Sequence, residues 1–244
     1  MSFELIIGIL TLFGSAALGL PVAFAILVGV LVYLGVAGQD LAIAGETMVQ
    51  RLFDGFLLLA VPLFIVSANI MNAGSISDRL LNFCVALVGR FRGGLGHVNV
   101  VTSLIFSGMS GSAVADAAGI GRIIIDMMRK SGGYSRGYAA AITAASATIG
   151  PIIPPSIPMV LYALVSNASI GSLFLAGIIP GLFMGGVLMA INAVISNRRD
   201  FGYEAPVPLG KIPGITFRAA PALLMPVILL TGIYSGVTTP TEAA

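Results

Sequence analysis

The first apolar stretch of the chain restricts its fold more than any other feature. Residues 5–37 contain no charged side chain. Of all 244 residues, 57% are hydrophobic and 9% are charged, whereas soluble domains carry about 25% charged residues. A water-soluble domain of this size could not bury so much apolar surface. The sequence therefore predicts an all-α polytopic membrane protein whose main solvent is a lipid bilayer.

This first apolar stretch is too long for one straight transmembrane helix. As a single helix, residues 5–37 would measure about 50 Å at about 1.5 Å per residue, against about 30 Å of hydrocarbon. The sequence GLP at 19–21 places Pro21, which lacks a backbone donor, in its middle. We expect two short or tilted spans, or one strongly broken span. A polar connection at 38–51 and a third span at roughly 53–71 follow.

Residues 75–94, SISDRLLNFCVALVGRFRGG, have a different pattern. Apolar residues at helical spacing form a stripe, serines that can cap a helix precede it, and arginines flank it. This pattern favours an amphipathic helix lying in the membrane interface. A short membrane span is the alternative.

Residues 95–130 consist of two apolar limbs separated by GMSGS at 108–112. Each limb has about 12–18 residues, which is short for a helix that crosses a bilayer. Basic residues flank both outer ends of the pair. This arrangement predicts a re-entrant hairpin whose tip points into the membrane and whose two feet stay on one side.

A second interruption lies within the apolar stretch 138–166, where IGPIIPPSIP occupies 149–158. So many prolines cannot continue an α-helix. Irregular backbone at membrane depth must be buried in protein or line a wet cavity. We therefore expect a broken helix, followed by a span at 170–195, a polar loop to about 215 and a last apolar segment at about 217–233.

The positive charges and a short internal similarity suggest a repeated architecture. Most Lys and Arg residues fall on one side if the N-terminus is outside and five spans plus the hairpin precede Asn197. An odd number of spans reverses the orientation of whatever follows residue 216. LFGSAALGLPVAFA at 12–25 resembles LTGIYSGVTTPTEAA at 230–244, which predicts that an inverted second copy begins near 216.

The two breaks, at 107–112 and 150–156, are candidates for one binding site. Broken helices present free N–H groups that attract anions, while unwound carbonyls and hydroxyls suit a hard cation such as Na⁺. If the breaks meet, they form an oxygen-rich pocket. The predicted sodium ligands are Ser107, Gly108, Ser110, Gly111, Ser112, Thr148, Gly150, Pro151 and Pro154. The alternative is that these small residues only allow close helix packing.

Asp116 lies about one helical turn beyond Ser112. An ionisable group at that depth is costly and is a functional candidate, although it can instead cap the helix or pair locally with Arg122. The predicted substrate-binding set is Ser112, Asp116, Pro155 and Ser156.

Two other functional classes fit parts of the sequence. GMSG at 108–111 resembles the Gly-x-Ser-Gly of rhomboid intramembrane proteases, with Ser110 as nucleophile. The one histidine, His97, is thirteen residues earlier, about 20 Å along a helix, whereas a general base must lie within about 3 Å of its nucleophile. A non-catalytic membrane scaffold subunit explains the apolarity but not two polar breaks.

Four segments together resemble the large membrane subunit of TRAP (tripartite ATP-independent periplasmic) transporters. They are GMSGSAVADAAGIG, AAAITAASATIGPIIPPSIPMVLYA, SI-x-x-LF-x-AGIIPG and the ending TTPTEAA. The resemblance implies an elevator-type, ion-transporter-like fold with inverted repeats in the bacterial inner membrane. It implies Na⁺-coupled uptake of organic acids such as C4-dicarboxylates or sialic acid. The implied partners are a small four-helix membrane subunit and a periplasmic substrate-binding protein. Neither an ATPase nor a nucleic acid is expected as a partner. The glycine-rich runs lack a P-loop lysine, so no nucleotide site is predicted.

The resemblance also implies a division of the chain. Residues 1–94 would form scaffold helices and an interfacial arm helix, and 95–169 transport-domain elements, namely the re-entrant hairpin 95–130 and the broken helix 137–166. Residues 170–215 would form a scaffold helix and a cytoplasmic loop, and 216–244 the start of the second repeat, whose own hairpin we expect beyond this sequence. Sodium would order the two breaks, and the hairpin and broken helix would move as a rigid body against the scaffold.

Overall fold

The computed structural model describes residues 2–54, 59–73, 76–239 and 241–242, and within these ranges every regular element is helical. The prediction of an all-α chain is therefore confirmed. The helices are α1 (Phe3–Ala17), α2 (Val22–Val36), α3 (Ala42–Asp54), α4 (Ala60–Ala73), α5 (Ile76–Val88), α6 (Gly94–Ser110), α7 (Ala113–Ala118), α8 (Ile120–Ser131), α9 (Arg136–Ala147), α10 (Ile157–Ser166), α11 (Ile170–Arg199) and α12 (Ile212–Tyr234). The chain divides into two compact units, 1–56 and 57–244.

In the first unit, residues 5–37 form two helices rather than one broken helix. Helices α1 and α2 have 15 residues each and pack as an antiparallel pair. Glycines allow their close approach, because a Cβ at Gly8 would lie 3.0 Å from Tyr33 Cβ and one at Gly29 would lie 2.9 Å from Leu12 Cβ. At about 1.5 Å per residue each helix is about 22 Å long, shorter than the hydrocarbon core.

The predicted polar connection at 38–51 is mostly helical, because its residues from Ala42 onward lie in α3. Asp40 starts this helix by accepting a hydrogen bond of 2.9 Å from the Ala42 backbone N–H. Its Glu, Met, Gln and Arg residues are good helix formers even where they are polar. The bounds of the predicted third span, 53–71, also differ from those of the observed helices. Helix α3 extends to Asp54 and α4 begins only at Ala60. Part of that prediction, at 55–58, lies outside the described residues.

In the second unit, α5 is helical as predicted, and its apolar stripe packs on protein. Leu80 and Cys84 are fully buried in the main core together with residues of α6 and α12. Leu87 is 50% exposed, because it lies at the edge of the buried side of the helix. The interfacial position of α5 stays a prediction.

Helix α6 lies at the centre of this unit, and with α8 it forms the predicted hairpin. Ile120, Ile124 and Met128 follow one another at the four-residue helical spacing and are fully buried in the same core as Leu95 and Val98 of α6. The short helix α7 connects the limbs at the tip. The hairpin is thus confirmed as a helical element, and its re-entrant placement in a membrane stays a prediction.

The proline-rich segment interrupts the second element as predicted. Helix α9 ends at Ala147 and α10 begins at Ile157.

The two long helices have other bounds than predicted. Helix α11 has 30 residues and ends at Arg199, beyond the predicted end at 195. Helix α12 starts at Ile212 rather than near 217. The structural division into scaffold and transport elements stays a prediction.

Two helices in the described part of the chain, α11 and α12, are long and apolar enough to cross a membrane. Four shorter apolar helices accompany them: Phe3–Ala17, Val22–Val36, Ala60–Ile70 and Ile157–Ser166.

Candidate functional site

The tip of the hairpin and the proline-rich break meet through their backbones. The Ile157 N–H donates a hydrogen bond of 3.4 Å to the Gly111 carbonyl oxygen. Gly111 has φ 60°, and a Cβ there would run into the carbonyl group of Pro155. Glycine is therefore required at this position, both for its backbone conformation and for the close approach. We call this contact region the junction.

Two more glycines bring the backbones of the junction together. A Cβ at Gly150 would lie 3.1 Å from the Ala113 nitrogen and from the Ser112 carbonyl carbon. A Cβ at Gly108 would lie 2.9 Å from the Pro226 side chain, with the Pro154 carbonyl oxygen 3.8 Å away. The hairpin tip is thus in contact with both ends of the break. Small residues at these positions serve close packing, and they also bring unwound carbonyl groups together.

Two helices begin at the junction with serine caps. The Ser112 hydroxyl accepts a hydrogen bond of 3.3 Å from the Ala115 N–H at the start of α7. The Ser156 hydroxyl accepts one of 3.3 Å from the Met159 N–H at the start of α10 and donates one of 2.5 Å to the Pro151 carbonyl. The positive ends of two helix dipoles therefore lie in one region.

The remaining predicted ligands divide into buried and exposed groups. Ser107 and Ser110 are buried; the Ser107 hydroxyl donates a bond of 2.5 Å to the Ser103 carbonyl, and the Ser110 hydroxyl accepts from the Ser112 N–H at 3.5 Å. Thr148 differs, because its side chain is exposed and its hydroxyl donates to the Ala145 carbonyl of its own helix at 2.7 Å. The structure therefore does not bring the Thr148 hydroxyl into a pocket with the serines.

Asp116 is buried in the hairpin and carries an unpartnered carboxylate. It is 1% exposed, and neither carboxylate oxygen makes a hydrogen bond to the described residues. The predicted alternative, a local pair with Arg122, is not found in the described part of the chain. The Ser103 hydroxyl is a polar neighbour of the carboxylate.

Sequence reasoning missed a buried polar cluster between α6 and α9. The Asn99 amide donates to the Thr143 hydroxyl at 2.6 Å, and the Ser146 hydroxyl donates to the Asn99 carbonyl oxygen at 2.8 Å. Ser103 donates to Ser146 at 3.2 Å. Asn99 and Ser103 are four residues apart, and Thr143 and Ser146 are three apart, so each pair lies on one helix face. That spacing is the signal from which the cluster could have been predicted.

A second polar contact joins the foot of the hairpin to α11. The fully buried Asn192 accepts a hydrogen bond from the Tyr138 hydroxyl and donates one of 3.2 Å to the Gly93 carbonyl. A Cβ at Gly96 would run into the Asn192 side chain. Tyr138 is thus hydrogen-bonded within the protein.

No group of three or more His, Cys, Asp or Glu side chains in the described residues could hold a metal ion. The polar atoms gathered at the junction are carbonyl and hydroxyl oxygens, which suit a hard monovalent cation rather than a transition metal.

Comparison with known families decides what kind of protein carries this junction. The model of the DctM component of the tripartite ATP-independent periplasmic transporters matches residues 9–244. The chain belongs to this family. The resemblance of the GMSGSAVADAAGIG and GPIIPPS segments to TRAP large permeases is therefore confirmed.

Several relatives in the TRAP family are similar to this chain. The sialic acid TRAP transporter large permease protein SiaM of Vibrio cholerae is 43% identical over 227 residues, which cover 93% of this chain and 53% of SiaM. The 2,3-diketo-L-gulonate TRAP transporter large permease protein YiaN of Escherichia coli is 39% identical over 95% of this chain and 54% of YiaN. The C4-dicarboxylate TRAP transporter large permease protein DctM of Vibrio cholerae is 36% identical over 95% of this chain and 51% of that protein. The chain thus spans about half the length of these relatives.

Proposed function

We propose that this chain belongs to the permease subunit of a sodium-coupled, binding-protein-dependent secondary transporter that imports organic acids across the bacterial inner membrane. The family match supports the transporter class. The names of the relatives, which specify sialic acid, a diketo-gulonate and C4-dicarboxylates, support a carboxylate substrate. The proposed partners are a small four-helix membrane subunit and a periplasmic substrate-binding protein.

The contact between the two breaks is the observation on which this proposal depends most. The Gly111 carbonyl meets the Ile157 N–H, and Gly150 lies against the Ser112 backbone. A sodium ion taken up there as co-substrate would bind carbonyl oxygens of the unwound segments together with the Ser107 and Ser110 hydroxyls. Because the ion would bind residues of both the hairpin tip and the proline-rich break, sodium binding would order both segments.

The substrate carboxylate is proposed to bind at the two capped helix starts. Ser112 and Ser156 lie at the N-termini of α7 and α10, where the dipoles favour an anion. The Pro155 carbonyl lies next to Gly111 and would shape this side of the site. Half of the substrate contacts would come from here and the other half from a second, inverted repeat.

Asp116 suits the cation better than the substrate. Its buried carboxylate would repel an organic acid, because like charges in a low-dielectric interior interact strongly. One helical turn from Ser112, a negative charge instead favours a bound sodium ion. We therefore propose that Asp116 supports sodium binding and does not contact the substrate directly.

The contacts of α11 bear on which helices move in an elevator-type cycle. Asn192 bonds to Tyr138 of α9 and to Gly93 at the foot of α6, and a Cβ at Gly185 would lie 2.7 Å from the Leu104 side chain of α6. A helix joined to both elements by buried contacts travels with them more readily than past them. We propose that α11 moves with the hairpin and broken helix rather than belonging to the scaffold.

The two alternative functions are less well supported. His97 and Ser110 lie on the same helix, α6, and thirteen residues of helix separate them by about 20 Å, so they form no serine–histidine pair. A purely structural subunit would not require two backbone breaks to meet around capped helix starts.

Uptake by the intact protein tests the proposal. The protein would be reconstituted in proteoliposomes with its small membrane subunit and its binding protein, and offered a panel of labelled organic acids with an inward Na⁺ gradient or an equal K⁺ gradient. Uptake that requires both Na⁺ and the binding protein is the expected result. Equal uptake in K⁺ would remove sodium from the proposal, and no uptake of any acid by folded components would favour a scaffold role.

A further inference from the structure

We propose that a cleft at the foot of the hairpin binds the phosphate headgroup of an anionic membrane lipid. The cleft has a volume of about 460 Å³ and lies between the end of α8 and the start of α9. It is lined by Asp126, Arg129, Lys130, Gly132, Tyr134 and Arg136. We call it the basic cleft. It lies apart from the junction, and no part of the proposed transport chemistry requires it.

The basic cleft carries more positive than negative charge, so it favours an anion. Asp126 is its one carboxylate, and its Oδ1 lies 3.4 Å from Arg129 Nη1, so these two charges largely offset each other. Lys130 and Arg136 take part in none of the ion pairs found among the described residues. Two cationic side chains are therefore free to bind a phosphate, with guanidinium and ammonium donors that match its oxygens.

One wall of the basic cleft is fixed to the hairpin. The Tyr134 ring lies 4.8 Å from the Phe201 ring between centroids, and its hydroxyl accepts a hydrogen bond of 3.3 Å from the Leu95 N–H. Burial raises the pKa of Tyr134 to about 12, so the phenol remains neutral at physiological pH and adds no negative charge. A ligand in the cleft would thus contact a rigid surface rather than a free loop.

An apolar strip that leads to the cleft favours a lipid over a soluble phosphate. Ile123, Met127 and Lys130 are spaced four and three residues apart, so they lie along one side of α8. Met127 is partly buried against the main core, so Ile123 is the exposed apolar residue of this strip. Ile123 is 40% exposed, although it belongs to a helix whose opposite side is fully buried. An acyl chain along this strip would bring its headgroup to Lys130. The positive-inside pattern places this foot on the cytoplasmic side, where anionic lipids are attracted to basic residues.

Native mass spectrometry of the intact protein tests the proposal. Purified protein would be mixed with phosphatidylglycerol or phosphatidylcholine, and bound lipids counted for wild type, for Lys130→Gln/Arg136→Gln, and for Arg198→Gln/Arg199→Gln. The last pair is a matched control, because both arginines are exposed at the end of α11. We expect phosphatidylglycerol binding to fall about thirtyfold in the cleft variant and to remain unchanged in the control.

Several outcomes would overturn the proposal. Equal loss in both double variants would mean general attraction to positive charge, and unchanged binding in the cleft variant would exclude the cleft. Inorganic phosphate that competes with phosphatidylglycerol at equal concentration would identify a soluble anion as the occupant. The thermal unfolding temperature of the wild type in phosphatidylglycerol and in phosphatidylcholine vesicles provides a test that needs no variant. Equal unfolding temperatures in the two lipids would contradict the proposal. None of these results depends on whether sodium drives transport.

Discussion

The backbone N–H of Ile157 donates a hydrogen bond of 3.4 Å to the carbonyl oxygen of Gly111. This bond joins the tip of the hairpin to the first residue of α10, and it is possible only because Gly111 lacks a side chain that would meet the Pro155 carbonyl. The two polar breaks therefore form one structural unit. A ligand that binds carbonyl oxygens at this contact would act on both elements at once.

Replacing Gly111 by Ala should disrupt the junction and abolish sodium-dependent uptake. The new Cβ would collide with the Pro155 carbonyl, in addition to the cost of about 1 kcal/mol for an L-residue in the left-handed region. Uptake and the amount of membrane-inserted protein would be measured together. Gly132→Ala is the matched control, because Gly132 has φ 75° but nothing within 4 Å of its Cβ position. Equal effects of the two substitutions would assign the loss to backbone strain alone.

Ser146→Ala should destabilise the contact between α6 and α9. The Ser146 hydroxyl is fully buried and bonds to both Asn99 and Ser103, so its removal leaves the Asn99 oxygen unsatisfied at a cost of about 1–3 kcal/mol. The free energy of unfolding in detergent would be compared with that of Ser166→Ala, whose exposed hydroxyl donates to the Tyr162 carbonyl. A Ser146→Ala protein as stable as this control would contradict the importance of the buried cluster.

Asp116→Asn should weaken sodium binding while it preserves the shape of the side chain. At an effective dielectric constant of about 20, the attraction between a nearby carboxylate and a sodium ion exceeds about 1.4 kcal/mol. Its loss should raise the sodium concentration for half-maximal uptake by about tenfold or more. Asp78→Asn, at an exposed position of α5, serves as the control. An unchanged sodium dependence with a weaker apparent affinity for the organic acid would instead place Asp116 at the substrate.

A disulfide between α6 and α11 should leave transport intact if the two helices move together. Leu104→Cys and Gly185→Cys introduce the pair at a position where a Cβ on residue 185 would lie 3.1 Å from Leu104 Cγ. The buried Cys84 would first be replaced by Ala. Uptake would be measured before oxidation, after oxidation and after reduction. Reversible arrest by oxidation would show that α11 stays behind with the scaffold.

The elements with strong local signals could be predicted from the sequence. The prolines at 149–158 fix the break, and GMSGS at 108–112 marks where the two limbs of 95–130 separate. Helix α3 was not predicted because the polar residues at 38–51 were interpreted as a connection, although Met48, Val49 and Leu52 recur at helical spacing. The end of α11 was placed too early because Arg198 and Arg199 suggested a loop, although basic residues in a last helical turn are favourable.

The contacts between elements were harder to predict than the elements themselves. Ser146 and Asn99 are 47 positions apart. Helical spacing indicates a polar face on each of the two helices, but it does not show that these faces pack on each other. Thr148 was included in the site because it adjoins the break, but its helix directs it outward. A contact of the two breaks was expected because irregular backbone in lipid must be buried. Gly108, Gly111 and Gly150 were predicted as sodium ligands or close-packing residues, but the sequence does not show which backbone groups each of them meets.

Hydrogen–deuterium exchange of the intact protein in Na⁺ and in K⁺ would test the central claim most directly. If sodium binds between the hairpin tip and the break, amides at 107–113 and 148–157 should exchange more slowly in Na⁺ than in equal K⁺, and Gly111→Ala should remove the difference. Ile123 to Lys130 would serve as an internal reference on the same hairpin. Identical exchange of both segments in the two salts would contradict a sodium site at the junction.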